Sequence, residues 1–369
     1  MSENVVYLPV DTLRHFMVDV LLSAGVPQED AEICADVYIA ADVRGIESHG
    51  VGRLKYYWER IKSGQHQPTT NFEVVRDAPA AATVDAHHGM GPVVGVRAMQ
   101  LAMDKARACG VGAVAVRNST HFGIAGYYPL MAVKAGMAGM AFTNARPAVA
   151  PTFGVKPMLG TNPIAFGAPS QDPEMPFLFD GAMSTIQRGK VEVMARKGKP
   201  LLAGWVIDQA GQPADDAAQV LTGLTSARNA LLPLGGAGEE LSGHKGYGLA
   251  TMVEIFSAAF ASGAFLYGLT GIGDQGQKVP FRVGHFFMAI SIEHFTPLEE
   301  FKATTSAIMR DLRNSTKAPG RERIYAAGEK EVENARRILK EGIPIVPNLT
   351  KDLIWLQQEL KLNQYQFPF

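Results

Sequence analysis

Apolar residues in the first quarter of the chain recur at the three- and four-residue spacing of amphipathic helices. Capping residues, prolines and terminal glycines predict three helices there, at 11–22, 27–43 and 48–62. The pattern then changes, and short runs rich in Val and Ala alternate with amphipathic stretches. The predicted strands are 81–84, 112–116 and 137–143, and the predicted helices are 92–108 and 125–135. This alternation is typical of an α/β fold.

The middle of the chain is rich in proline and glycine, which predicts short strands between loops. These strands fall at 164–166 and 177–179, and a helix follows at 185–196. A further helix starts near Gly246, a glycine-spaced loop covers 263–282, and a buried strand covers 286–292. Helical spacing returns at 298–312, 329–340 and 350–360. The helical chain ends therefore flank a mixed middle.

Length and composition indicate a folded protein with two parts. The chain has 369 residues, more than the roughly 250–300 that a single hydrophobic core usually holds. Apolar residues make up 47% and charged residues 19%, and the formal net charge is −1. This total attracts neither nucleic acid nor an anionic membrane. We expect residues 1–75 and 300–369 to pack into one helical part, with residues 76–299 inserted between them.

Three features favour a cytoplasmic protein. Residues 1–4 lack the basic region and apolar run of a signal peptide. Cys34 and Cys109 do not have the spacing of a disulfide framework, and we expect both thiols to be reduced and buried. The longest apolar stretch, 249–269, is interrupted by Glu254 and predicts a buried helix followed by a loop, with no membrane span.

The G-x-G-x-x-G motif at residues 271–276 does not predict a Rossmann site. Such a motif must follow a strand and open a helix, so that the helix N-terminus meets the pyrophosphate of a dinucleotide. Here it lies inside a predicted loop and is followed by Gln-Lys-Val-Pro. The sequence contains no H-E-x-x-H and no C-x-x-C pair, so no metal site is predicted.

A histidine and an arginine lie four residues apart near the start of the third predicted helix. His49 and Arg53 would then share one helix face, which continues through Tyr56 and Tyr57. A guanidinium group binds a carboxylate through two parallel hydrogen bonds and stays charged at any working pH. The same spacing also fits an N-capping Ser48, a first-turn histidine and a surface ion pair. The spacing alone leaves both interpretations open.

His121 follows the predicted strand 112–116, on the side where ligands gather in open α/β sheets. An imidazole titrates near neutrality and can exchange a proton with a hydroxyl group. A hydrogen-bonded loop histidine is the alternative. A carboxylate clamp together with such a proton donor or acceptor is what a 2-oxo acid reductase needs.

Two other segments are also candidates for binding. His244 and Lys245 precede a predicted helix, whose N-terminal amides would attract a phosphate or carboxylate. A solvated loop lysine is the alternative there. Asp180 follows the predicted strand 177–179, where it is either a site carboxylate or a cap for the next turn.

Five segments in series resemble the type-2 malate/L-lactate dehydrogenase family. That family also includes ureidoglycolate and sulfolactate dehydrogenases and piperideine-2-carboxylate reductases. The segments are ADVRG with SHG and Arg53 (41–53), NSTHFG (118–123), LGTNP (159–163), FD (179–180) and GHKGYGL (243–249). The resemblance covers about residues 8–345 and leaves out the tail beyond about 346. Arg146 stands where the ureidoglycolate branch has an aspartate, which argues against that substrate.

The resemblance implies a non-Rossmann, mixed-sheet nucleotide-binding domain inserted in a helical domain formed by both chain ends. It also implies a homodimer, with NAD or NADP as the cofactor and NAD preferred. The cofactor positions that it implies are His49, His121, Thr161, Asn162, Asp180, Gly181, Ala182, His244 and Lys245. The other implied roles are proton exchange by His121 beside His49, substrate binding by Ser48 and Arg53, and a catalytic role for Asp180.

We therefore expect hydride transfer between NAD(P)H and a 2-oxo acid, oxaloacetate first and pyruvate or a relative second. Arg53 would hold the C1 carboxylate, and His121, as imidazolium, would protonate the developing alkoxide. His49 would orient or polarise the carbonyl, although the two histidines could exchange roles. One alternative is a reductase of a cyclic 2-imino carboxylate. Another, from a different class, is a nucleotide-binding sensor without catalysis.

Overall fold

The computed structural model describes residues 5–196 and 198–369. The prediction that the chain has no signal peptide rests on residues 1–4, which lie outside the described residues. Its helices are α1 Val10–Ser23, α2 Gln28–Val43, α3 Leu54–Lys62, α4 Gly91–Cys109, α5 Tyr127–Lys134, α6 Arg188–Arg196, α7 Ala217–Thr225, α8 Gly243–Ala258, α9 Leu298–Arg313, α10 Glu329–Glu341 and α11 Pro347–Glu359. Its strands are β1 Val6–Leu8, β2 Glu73–Asp77, β3 Ala81–Asp85, β4 Val111–Ser119, β5 Met137–Thr143, β6 Ile164–Ala168, β7 Phe177–Gly181, β8 Val206–Asp208, β9 Asn229–Leu231, β10 Val283–Ser291 and β11 Ile343–Ile345.

A seven-stranded mixed sheet forms the centre of the fold, in the order β2-β3-β4-β10-β5-β6-β7. Only β3 and β4 run parallel, and the other neighbouring strands pair antiparallel. The late strand β10 lies between β4 and β5, where His285 pairs with Val116 on one side and Thr143 on the other. This topology differs from the parallel, doubly wound sheet of a Rossmann fold. The prediction of a mixed α/β fold is confirmed.

Helices cover both faces of this sheet. On one face, α4 and α5 pack against β4, β5 and β10 through small and aromatic side chains such as Ala102, Tyr128 and Phe287. A side chain at Gly112 would lie 2.0 Å from the carbonyl oxygen of Ala102, so this glycine permits the close approach of β4 to α4. On the other face, α8 packs against the central strands.

Residues from both chain ends share one hydrophobic cluster. β1 pairs antiparallel with β11, which joins the two ends through backbone hydrogen bonds. The ring of Phe16 in α1 contacts Tyr365 and Phe367, each at a centroid distance of 5.1 Å and nearly perpendicular. Trp58 in α3 meets Trp355 in α11 edge-on at 5.6 Å. These contacts explain why apolar residues persist along the C-terminal tail.

Several predicted boundaries are wrong. The third helix begins at Leu54 and not at Ser48, and the helix predicted from 185 begins at Arg188. The helix predicted near Gly246 begins at Gly243, so His244 and Lys245 lie within its first turn. The strands β1, β2, β8, β9 and β11, and helix α7, were missed because such short elements show too few positions to display a period.

The segment predicted as a buried helix is buried on one face only. Val253 in α8 is fully buried, whereas Ile255 is 51% and Phe260, in the following turn, 59% exposed. Cys34 is buried as predicted, but Cys109 is exposed because it ends α4 at the surface. Within the described ranges, no helix is long and apolar enough to cross a membrane.

Candidate active site

The segment that carries His49 is a loop and a 3₁₀ turn, which corrects the predicted helical face. Gly50 has a non-helical backbone (φ −95°, ψ −139°), and the 3₁₀ turn Val51–Arg53 precedes α3. His49 and Arg53 are therefore brought together by the loop and not by a helical i, i+4 relation. Nε of Arg53 donates to the Ser48 carbonyl at 2.8 Å, which folds the arginine back over the loop. The Ser48 hydroxyl lies 2.8 Å from Nδ1 of His49 and orients that ring instead of capping a helix.

A buried carboxyl group shapes this loop from below. The backbone N–H of Val51 donates to Oδ2 of Asp42 at 2.8 Å. A Cβ at Gly50 would lie only 1.9 Å from Oδ1 of Asp42, so the loop can pass this carboxyl only with a glycine at that position. Burial raises the pKa of Asp42 to about 8, although the Val51 hydrogen bond opposes this shift.

His121 lies just beyond the end of β4, as predicted, and its Nδ1 atom already has protein partners. The Tyr57 hydroxyl is 2.8 Å from Nδ1, and the backbone N–H of Gly123 donates to the same atom at 3.2 Å. Since a backbone N–H can only donate, Nδ1 accepts and the neutral ring carries its proton on Nε2. Nε2 is therefore the ring atom left to serve a ligand.

The two candidate histidines lie next to each other. The rings of His49 and His121 have centroids 5.4 Å apart, and Tyr57 stacks against His121 at 5.9 Å. Burial, followed by the charge of Arg53, lowers the pKa of His49 to about 4. Burial and then the neighbouring His49 and cationic groups hold the pKa of His121 well below its usual range. Both rings are therefore neutral near pH 7 in the free protein.

A cavity of about 970 Å³ opens beside this cluster. Ser48 and Arg53 line one side, and residues that follow β7, including Ala182, line the other. The predicted substrate ligands and one predicted cofactor residue thus share one space. Its volume is at the upper end of the usual range for small-molecule sites.

Four cofactor candidates lie in two neighbouring segments of the fold. The carbonyl of Thr161 accepts the Met183 N–H at 2.8 Å, which fixes this loop beside Gly181 and Ala182. Asn162 has a left-handed backbone (φ 38°), and its amide donates to Glu254 at 2.8 Å. Its Oδ1 is buried without a partner among the described residues, so a polar group of a ligand could pair with it.

His244 and Lys245 occupy the first turn of α8. A Cβ at Gly246 would lie 2.1 Å from the Leu234 carbonyl oxygen, and Leu234 N–H in turn bonds Met183 at 3.0 Å. The start of α8 is therefore packed against the segment that leads from β7. Nδ1 of His244 is buried without a partner in the described part of the chain, and Lys245 is exposed. A helix N-terminus with a nearby lysine suits an anionic group.

Among the described residues, the Asp180 side chain makes no hydrogen bond to His49 or His121. Its Oδ2 accepts the N–H of Gly126, the residue directly before α5, at 2.7 Å. Asp180 therefore caps the start of α5 from a segment that is distant in sequence. Although part of the residue is exposed, protein atoms crowd the carboxylate and desolvation raises its pKa to about 6. Glu331 adds to this shift, and Arg44 opposes it.

Sequence reasoning missed two residues that complete the cluster, Arg60 and His66. Arg60 is 9% and His66 1% exposed, and each contacts the ring of Phe281. Electrostatic interactions with Arg60 and with His66 both lower the pKa of His121. The spacing of Tyr57 and Arg60 on α3 was a usable signal, because residues three apart share a helix face. Tyr57 was noticed as part of a face but was given no role.

The glycine motif at 271–276 is a loop, which confirms that it is no Rossmann site. It lies between a 3₁₀ turn, Leu266–Leu269, and β10, and the Gly271 carbonyl accepts from Gln65 at 3.1 Å. The same connection carries Phe281, whose N–H bonds the Gln65 carbonyl at 3.1 Å. The motif therefore supports the wall of the site.

Fold and site together define an oxidoreductase of 2-hydroxy acids, and comparison with known proteins agrees. The family model described as malate/L-lactate dehydrogenase matches residues 8–354, slightly beyond the resemblance seen in the sequence. The chain belongs to the malate/L-lactate dehydrogenase family.

Individual relatives have similar lengths and folds. A malate dehydrogenase of Pyrococcus abyssi is 48% identical, with 95% of this chain and 94% of the relative covered. An L-sulfolactate dehydrogenase of Methanocaldococcus jannaschii is 39% identical, with 95% and 96% covered. The crystal structure of malate dehydrogenase from Entamoeba histolytica superimposes with a TM-score of 0.93 at 39% identity, covering 99% of this chain and 100% of that one.

These comparisons confirm the predicted class, a 2-hydroxy acid dehydrogenase that uses a nicotinamide cofactor. The names of other relatives specify NAD(+) for a ureidoglycolate dehydrogenase and NADP(+) for a sulfolactate dehydrogenase. Both cofactors named in the sequence-based prediction thus occur among relatives.

Proposed function

We propose that this enzyme interconverts malate and oxaloacetate, with lactate and pyruvate or a related pair as the second choice. The clustering of His49 and His121 near Arg53, which lines the cavity, is the observation that supports this proposal. An arginine can hold the C1 carboxylate of a 2-oxo acid, and an imidazole can exchange a proton with the C2 oxygen. The names of the relatives from Pyrococcus and Entamoeba agree with this choice.

Arg53 holds the C1 carboxylate in this proposal. Its Nε is already bonded to the Ser48 carbonyl, so the two terminal nitrogens are left for a bidentate contact. Ser48 orients His49, and His49 positions or polarises the C2 carbonyl. When bound, a reduced nicotinamide supplies a hydride to C2.

His121 delivers the proton to the C2 oxygen from Nε2. The free protein holds this ring neutral, whereas donation by an imidazolium was predicted. An anionic substrate on Arg53 offsets the positive charge that depresses the pKa of His121, so substrate binding and protonation are coupled. In the imidazolium Nδ1 also carries a proton; the Tyr57 hydroxyl can accept from it, whereas the hydrogen bond from the Gly123 N–H is lost.

The cofactor lies between the segment from Thr161 to Ala182 and the start of α8 in this proposal. The buried, unpartnered Oδ1 of Asn162 and Nδ1 of His244 fit polar groups of such a ligand. Lys245 offers a charge to a phosphate. NAD is the preferred cofactor and NADP the alternative.

We also propose that residues 76–299 form the nucleotide-binding domain, inserted in a helical domain built by 1–75 and 300–369. The shared cluster of both chain ends supports this division. The apolar surface formed by Ile255 on α8 and Phe260 in the turn after it supports the homodimer, and a cytoplasmic location completes the proposal. Sedimentation velocity checks the dimer.

A panel of substrates against both cofactors tests the function. Oxidation of NADH and NADPH is followed by absorbance with oxaloacetate, pyruvate and a cyclic 2-imino carboxylate. The highest kcat/KM is expected for oxaloacetate. A higher value for the imine would favour the imino-acid reductase instead, and cofactor binding without turnover of any of the three would favour the sensor.

A further inference from the structure

Arg60 is a buried cation without an acidic partner. Its guanidinium carbon lies 3.5 Å from the ring centroid of Tyr56 and 4.0 Å from that of Phe281, so the group is held between two aromatic faces. No carboxylate lies within 4 Å of it in the described part of the chain, and it makes no side-chain hydrogen bond there. Buried guanidinium groups normally pair with an anion, because their desolvation is costly.

The hydrogen-bonding edge of Arg60 is not sealed off. Its side-chain nitrogens have no hydrogen-bond partner among the described residues, and they are not fully buried. They therefore retain contact with open space. The stacked position between Tyr56 and Phe281 covers both faces of the plane and leaves only this edge for a ligand.

A second polar group, His66, is joined to Arg60 through the backbone and shares its contact with Phe281. His66 N–H bonds the Arg60 carbonyl at 3.2 Å, and the His66 ring contacts Tyr57 and Phe281 at centroid distances of 6.1 and 5.6 Å. Both of its ring nitrogens are buried without a partner in the described part of the chain. A neutral imidazole in this position can donate a hydrogen bond to an anion beside Arg60.

Arg60 and Arg53 flank the catalytic histidine from two ends of α3. They are seven residues apart, which corresponds to about 10 Å along a helix. Arg53 also lies 5.9 Å from the ring of Tyr56 that Arg60 contacts, so both guanidinium groups border the same ring. Tyr57, between them in sequence, holds His121. A short substrate with an anionic group at each end can bridge this arrangement.

We propose that Arg60, assisted by His66, binds a second anionic group of the substrate, at the end opposite the carboxylate held by Arg53. This inference rests on the proposed reduction of 2-oxo acids and makes Arg60 the residue that selects dianionic over monoanionic substrates. The second group is a carboxylate or a sulfonate, because a guanidinium edge binds either oxyanion.

The test compares KM values for three 2-oxo acids in wild type and R60Q. Oxaloacetate and sulfopyruvate carry a second anion, and 2-oxobutyrate has the same chain length as oxaloacetate without it. In R60Q the KM for the two dianions is expected to rise about 10- to 100-fold, the range for loss of a charged hydrogen bond, while the KM for 2-oxobutyrate changes less than about 2-fold. A rise with only one dianion identifies the group that is recognised.

K62Q is the matched control, since Lys62 is an exposed cation on the same helix. It should leave every KM unchanged. If R60Q does not fold, as judged by its thermal midpoint, R60K replaces it. Lysine retains the charge but lacks the fork and the stack, so KM should rise several-fold for the two dianions alone.

An equal rise for all three substrates, or no change for the dianions, would overturn the role of Arg60. H66Q gives an independent arm, with a smaller rise expected for the dianions only. If the wild-type enzyme reduced none of the three acids, the proposed function itself would fail, and the inference would fall with it. The two failures are thus distinguishable.

Discussion

The Tyr57 hydroxyl lies 2.8 Å from Nδ1 of His121, and the same nitrogen accepts the Gly123 N–H. This pair links the helical part of the chain to the end of β4. In the proposed reaction this leaves Nε2 as the ring nitrogen of His121 available to the substrate. The proton is thus assigned to an atom and not only to a residue.

Replacement of His121 by alanine is expected to lower kcat by about 10²–10⁴-fold, because general acid–base catalysis contributes that much. Cofactor binding, measured by fluorescence titration of NADH, should persist. H49A should affect turnover less, since His49 orients the carbonyl without moving the proton. If H49A abolished turnover and H121A preserved it, the two roles would be reversed.

Y57F is expected to lower kcat by about 10-fold and to change the pH profile of the reaction. Phenylalanine retains the stacking on His121 and Tyr38 but removes the hydroxyl that serves Nδ1 in both protonation states. The profile of log kcat/KM against pH is the diagnostic measurement, because a merely structural role would not shift it. Y56F, which leaves the His121 contact intact, is the control.

R53K is expected to raise the KM for every 2-oxo acid about 10-fold or more. Lysine keeps the positive charge but cannot bind the C1 carboxylate through two parallel hydrogen bonds. Because the C1 carboxylate is common to all these substrates, the effect should not depend on the second group, in contrast to R60Q. Steady-state kinetics with oxaloacetate and 2-oxobutyrate check this, and an unchanged KM would contradict the clamp.

D42N is expected to flatten the dependence of stability on pH. The folded state raises the pKa of Asp42 from 3.8 to about 8, so the folded protein binds a proton more tightly than the unfolded chain. Stability from this group is fully present below pH 3.8 and is lost as the pH rises to about 8, at up to about 1.4 kcal/mol per pH unit.

Urea unfolding at several pH values in wild type and D42N measures this difference. Asparagine can still accept the Val51 N–H, so the loop should keep its shape. The stability of D42N relative to wild type should rise between pH 5 and 8. Parallel curves for the two proteins would show that Asp42 is ionised in the folded state.

Much of the fold could be predicted from apolar periodicity. The central strand β5 was predicted with its observed ends, and α4 and β10 within a few residues, because these elements are long or flanked by clear turn signals. The short strands β1, β2, β8, β9 and β11, and helix α7, were missed. The helix expected from Ser48 failed because a tertiary contact, from Asp42 to Val51, holds that segment in another conformation.

The sequence by itself determined the chemical types at the site, His49, Arg53 and His121, since their identity and local context do not depend on folding. Only the tertiary structure decided which atoms face the cavity and which residues join them. Arg60 and His66 became candidates through the wall that Phe281 supplies from more than two hundred residues away. Burial and neighbouring charge are properties of the assembled fold, and they decide the protonation of each ring.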